Sequence, residues 1–162
     1  MKNNLIVLFC HLCLIFSMPL GAQTIAPDKI TAVKLTPEIG KSYLEQTSVQ
    51  AFTVNQNYIL RPASGYKISY FPSEKKIAIH PVAMKLTSSR PSLPGFDTSP
   101  VPGGTMFCLC EQTQDDCKIS ARVIDKSLTF VCVGSCGCES FLVYDTSDPV
   151  LEYETGGIWH RF

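Results

Sequence analysis

Gly65-Tyr66-Lys67-Ile68-Ser69-Tyr70-Phe71-Pro72-Ser73-Glu74-Lys75-Lys76-Ile77-Ala78-Ile79 alternates its side chains on both sides of a turn. Tyr66, Ile68 and Tyr70 fall on one face of an extended strand, and Lys67 and Ser69 on the other. After Pro72-Ser73-Glu74-Lys75 the same alternation resumes through Ile77 and Ile79. A period of two in aromatic and branched residues marks strands, so this stretch reads as a β-hairpin with its Tyr/Ile face buried.

The period extends outward in both directions. Toward the N-terminus, Val49, Ala51 and Thr53 and then residues 58–61 read as strands, and Ile30, Ala32 and Lys34 alternate in an edge strand within 26–35. Toward the C-terminus, residues 105–110, 118–124, 128–133, 141–144 and 150–153 are short strands. Asp125-Lys126 forms a tight turn that sets Ala121 opposite Phe130 and Val123 opposite Leu128. One segment departs from this period. Thr36-Pro37-Glu38 offers a capping hydroxyl, proline at the first helical position and an acid in the first turn, and Ile39, Tyr43 and Leu44 then share a helical face. The expected fold is mainly β: a small antiparallel sheet or sandwich with a disulfide-rich C-terminal β-unit and one short helix. Trp159 and Phe162, in the tail after Gly156-Gly157, are expected to dock on the core.

Residues 1–22 read as a secretory signal peptide. Lys2 precedes an apolar run of 12 residues from Leu5 to Phe16, broken in sequence only by His11, and the segment ends on Gly21-Ala22. That run is short of the roughly 20 residues a membrane-spanning helix needs. Cleavage after Ala22 leaves residues 23–162, 140 in number, carrying 13 basic and 14 acidic side chains. Near-neutral charge gives no footprint for nucleic acid, and no other apolar stretch suits a membrane after cleavage. A β-rich half (23–86) is followed by a Pro/Gly/Ser-rich loop or linker (87–104) with four prolines, and then by a cysteine-rich β-unit (105–162) that shares one domain with the first half.

The six cysteines beyond the leader all lie between Cys108 and Cys138: Cys108, Cys110, Cys117, Cys132, Cys136 and Cys138. An even number in an exported chain predicts three disulfides. Cys108 and Cys110 share one strand face and reach outward to different partners, and the Asp125-Lys126 hairpin places Cys117 diagonally from Cys132 and Cys136, so a bridge to one of those two is expected. The competing reading gives Cys108, Cys110, Cys136 and Cys138 to a soft metal, Zn or Cu, as two Cys-x-Cys pairs. Beyond the leader, no two cysteines have the Cys-x-x-Cys spacing of thiol oxidoreductases.

No catalytic motif stands out. His80 and His160 are the histidines left after cleavage, each expected in a surface or structural role; Asp115 and Asp116 read as solvated turn residues, and Asp145 and Asp148 as turn chemistry. The sequence therefore points to a secreted or periplasmic, non-enzymatic binding or structural module without a cofactor. Its partner would be another protein or a cell-surface component, met through the proline-rich or cysteine loops.

Overall fold

A computed structural model of the protein describes residues 29–90, 97–109, 117–134, 138–147 and 150–162. The leader expected over 1–22 lies outside them. The hairpin expected over residues 65–80 is β5 (Tyr66–Phe71) and β6 (Lys76–Pro81), antiparallel from Tyr66 opposite Pro81 to Phe71 opposite Lys76. Before it come β1 (Ile30–Leu35), helix α1 (Pro37–Glu45), β2 (Thr47–Val49), β3 (Phe52–Val54) and β4 (Ile59–Pro62). After it come β7 (Asp97–Val101), β8 (Gly104–Leu109), β9 (Lys118–Ile124), β10 (Ser127–Val133), β11 (Glu139–Asp145), β12 (Val150–Thr155) and β13 (Ile158–Arg161).

Ten strands form one curled antiparallel sheet in the order β13-β12-β1-β5-β6-β11-β8-β7, with the β3–β4 hairpin joined through β4 to β1. The curl has a local cause. One edge of β1 pairs with β12 throughout, whereas the other is divided between β5, at Ile30, and β4, at Val33 and Lys34. A strand serving two neighbours on one edge bends the sheet around itself, and Val33, Leu35, Leu60, Ile68, Ile77, Ile79, Met106, Leu142 and Tyr144 fill the inside. Strands β1, β5 and β6 from the first half sit between β12 and β11 from the second, so each half completes the other's hydrogen-bond ladder at two seams.

A smaller sheet, β2-β10-β9, lies beside the large one, with β2 and β10 parallel. The β9–β10 register is the expected one, Ala121 opposite Phe130 and Val123 opposite Leu128, around Asp125 and Lys126, both in the left-handed region. The stretch 48–53 differs from expectation. It is not one strand: β2 belongs to the small sheet and β3 to the large one, and adjacent Ala51 and Phe52 are both buried at the crossing. Strict alternation cannot hold where a chain passes between two sheets, because both of its faces meet protein.

Two further segments differ. Residues 97–101, read as part of a loop, form β7 and pair with β8 around the Pro102-Gly103 turn. Pro100, a residue that argues against a strand, is tolerated because β7 ends the sheet and its outer edge needs no donor. The tail is likewise ordered as β13, paired with β12 around Gly156 and Gly157, whose φ values of 58° and 80° suit a two-residue hairpin turn. Residues 91–96 lie outside those described.

Helix α1 starts where expected, with Thr36 as N-cap and Pro37 in the first turn, although the Thr36 side chain makes no capping hydrogen bond. Tyr43 anchors the helix. Its hydroxyl donates to Pro102 O at 2.9 Å, and that of Tyr144 lies 2.7 Å away, so Tyr144 donates to Tyr43. Burial raises both phenols above their ordinary value of 10; the bond from Tyr144 opposes the shift at Tyr43, while the nearby Tyr43 charge adds to it at Tyr144. A folded-state pKa raised in this way gives stability that is complete below pH 10 and is lost as pH rises toward the folded values. Thermal melts should therefore fall above pH 10, with a shallower slope in Tyr43→Phe/Tyr144→Phe. At neutral pH, Tyr43→Phe alone should cost about 1 kcal/mol, because Pro102 O and the Tyr144 hydroxyl both lose their partner.

The β5–β6 hairpin is covered on its second face as well. Ala78, Leu109, Phe141 and Val143 form a satellite core against Phe71, Met84, Leu86 and Phe107. Glu74 holds the covering segment in place by accepting hydrogen bonds from the Ser89 amide and hydroxyl, which lower its pKa. Glu74→Gln should loosen residues 82–90, which amide hydrogen exchange would register as faster exchange at Ser89.

Candidate functional site

The described cysteines converge where the two sheets meet. Cys108 on β8 and Cys132 on β10 form one disulfide, with Cα atoms 5.5 Å apart, and Cys117 and Cys138, just before β9 and β11, form a second at 5.6 Å. The sulfurs of Cys108, Cys117 and Cys138 lie within 4.8 Å of one another. Cys108 and Cys117 are buried, and Ile119 packs against them. Asp97 adds a polar tie between the sheets, its carboxylate accepting the Ile119 amide at 2.9 Å.

This corrects the expected pairing of Cys117 with Cys132 or Cys136. The hairpin register was right, with Cys132 opposite Ile119, but Cys132 is spent on the facing sheet, where Cys108 meets it. Cys117 precedes β9, beyond the last paired residue Lys118, and meets Cys138 instead. Of the soft-metal set, Cys108 and Cys138 are therefore in separate disulfides, while Cys110 and Cys136 lie outside the described residues. So do Asp115, Asp116 and Asp148.

The histidines are structural in their surroundings. His80 is 1% exposed, with Nδ1 donating to Pro81 O at 3.0 Å and Nε2 2.9 Å from Ser69 Oγ. Ser69, beside the histidine, is also buried, 5% exposed. His160 stacks on Tyr153 at 5.2 Å. Asp145 caps the turn after β11 by accepting from the Ser147 amide and hydroxyl, which hold its carboxyl below the usual range.

A second feature was not anticipated. Lys34, Gln56, Asn57, Tyr58, Ile59, Glu152 and Trp159 line a cleft of about 480 Å³. Both tail aromatics, expected to dock on the core, stay 37% exposed; Phe162 rests its ring 4.8 Å from Tyr153 and 5.1 Å from Tyr70, and Trp159 lines the cleft instead. On the opposite wall, Asn55 shapes the turn: its Oδ1 accepts from the Asn57 and Ile59 amides, each at 3.0 Å. Tyr58 follows in the left-handed region, at φ 60°, and its backbone is fixed by bonds to Asn55 O and from the Leu35 amide.

Fold and sulfur cluster together define a disulfide-stapled, mainly β module with a curled antiparallel sheet. No protein-family model, curated protein or solved structure matches the chain. Among the described residues, no helix is long and apolar enough to cross a membrane.

Proposed function

We propose that this chain is an exported, non-enzymatic binding or structural module, secreted or periplasmic, that works without a cofactor on another protein or a cell-surface component. The observation that carries the reading is the pair of disulfides at the junction of the two sheets. Such bonds persist in oxidising compartments and are rare in the cytosol of mesophiles, which agrees with the leader read at residues 1–22. The sealed surroundings of His80 and the stacked ring of His160 support a role other than catalysis. Near-neutral charge disfavours nucleic acid.

Mass mapping of non-reduced digests tests it. Exported protein should begin at Gln23 and show three bridges and no free thiol, two of the bridges being Cys108–Cys132 and Cys117–Cys138. Four or more free thiols would sink the reading.

The convergence of sulfurs favours one other reading, a periplasmic soft-metal protein. It needs thiolates, so both disulfides must first be reduced. Elemental analysis of protein purified without chelator separates the two: stoichiometric Zn or Cu would replace the stapled-module reading.

A further inference from the structure

We propose that the cleft between the Asn55–Tyr58 turn and β13 binds a neutral saccharide, with Trp159 as the stacking platform and the Gln56 and Asn57 carboxamides as hydroxyl readers. This names a ligand class for the binding module proposed above and rests on that reading.

Four observations converge on the cleft. Trp159 offers a large flat ring, 37% exposed, on the lining of the cleft, whereas Phe162, equally exposed, lies against Tyr70 and Tyr153 and does not line it. The C–H face of a pyranose ring is apolar and slightly positive, which complements the electron-rich face of an indole. Across the cleft, the side-chain amides of Gln56 and Asn57 make no hydrogen bond to other described residues, nor does the Trp159 indole N–H. A carboxamide presents a donor pair and an acceptor in one plane, matching adjacent hydroxyls that both donate and accept.

Charge narrows the class further. The cation and anion lining the cleft, Lys34 and Glu152, are paired with each other at 3.5 Å, and Glu152 also meets Arg161 at 3.7 Å. A phosphate or carboxylate ligand would have to break that pairing, whereas a neutral polyol would not. The wall is also pre-formed. Asn55 and the left-handed Tyr58 hold the turn through backbone bonds, so the reading amides are carried on a fixed support. Strain of this kind persists where surrounding structure enforces it, and a fixed wall lowers the entropic cost of binding. The volume, about 480 Å³, falls in the range of small-ligand clefts.

Trp159 is the sole tryptophan in the chain, so its fluorescence reports on the cleft alone. Mature protein with its disulfides intact would be titrated with tetrasaccharides of glucose, galactose, mannose and N-acetylglucosamine, and with adenosine and AMP as counter-ligands. The expected result is a saturable emission shift, with protection from acrylamide quenching, for at least one saccharide and for neither counter-ligand. Gln56→Ala/Asn57→Ala, which keeps the fluorophore and removes no bond within the described fold, should weaken that saccharide at least tenfold. Calorimetry on Trp159→Ala should show binding lost, with a thermal melt confirming that this edge-strand variant is folded. The proposal is overturned if no saccharide shifts emission up to about 10 mM, if the double-alanine variant binds as well as the parent, or if adenosine or AMP binds as tightly. A thiol count on the same sample separates the two failures: three bridges without saccharide binding reject the ligand class alone, and free thiols reject the stapled module.

Discussion

Replacing Cys117 and Cys138 together by serine should destabilise the protein by about 3 kcal/mol, the chain-entropy value for a closed loop of this size. The bond spans a sequence separation of 21. For a domain of this length the loss corresponds to a drop of roughly 10 °C in Tm. The Cys108–Cys132 bond, with a separation of 24, should be worth a similar amount when removed alone. The two loops overlap over residues 117–132, so with one bond in place the other closes a shorter effective loop; the second removal frees more of the unfolded chain than the first, and the combined loss should exceed the sum of the two taken singly. Single substitutions should behave worse than paired ones. With Cys138→Ser, the Cys117 thiol is left close to the Cys108 sulfur, inside a group that spans 4.8 Å, and its thiolate can attack the neighbouring disulfide. Non-reducing digests of that single variant should contain bridges absent from the parent, while the paired variant should keep Cys108–Cys132. An unchanged Tm in the paired variant would remove the covalent account of the junction.

Gly40→Ala should destabilise the protein by about 2 kcal/mol, against the sign of helix propensity. In an exposed helix that change gains about 1 kcal/mol. Gly40, however, is buried in α1, and a Cβ there would stand 2.5 Å from the Cβ, Cγ and Cδ1 atoms of Tyr58. Tyr58 cannot step aside cheaply. Its Cβ moves only with the backbone, which is held by the bonds to Asn55 and from Leu35 at φ 60°. Relief must shift the helix or the turn, and overpacking of this kind typically costs about 1–3 kcal/mol. The turn also forms one wall of the Trp159 cleft, so the variant should change Trp159 emission in the folded state. A Tm equal to or above the parent's would show that the contact can relax.

The strands were legible because their causes are local. Alternation in 66–71 and 76–80, and the Asp125-Lys126 turn, fixed element type and even register, since side-chain period and turn length act within a few residues. The missed strands carried conflicting signals. Pro100 argues against β7 although Pro102-Gly103 marks its turn, and Gly156-Gly157 marks the β12–β13 hairpin although the residues after it show no clear alternation. Gln56 and Asn57 had no such signal, because amides in a turn look alike whether or not an aromatic ring lies opposite.

By itself, then, the sequence determined a mainly β chain with its cysteines gathered in one segment, because hydrophobic period and residue chemistry are properties of neighbours in the chain. Tertiary structure alone decided which sulfurs meet and which tail aromatic lines the cleft. Cys108 finds Cys132, and Trp159 comes to face Asn57, only once the sheet has curled and the smaller sheet has settled beside it. Contacts between faces depend on how sheets pack, and no period along the chain records that.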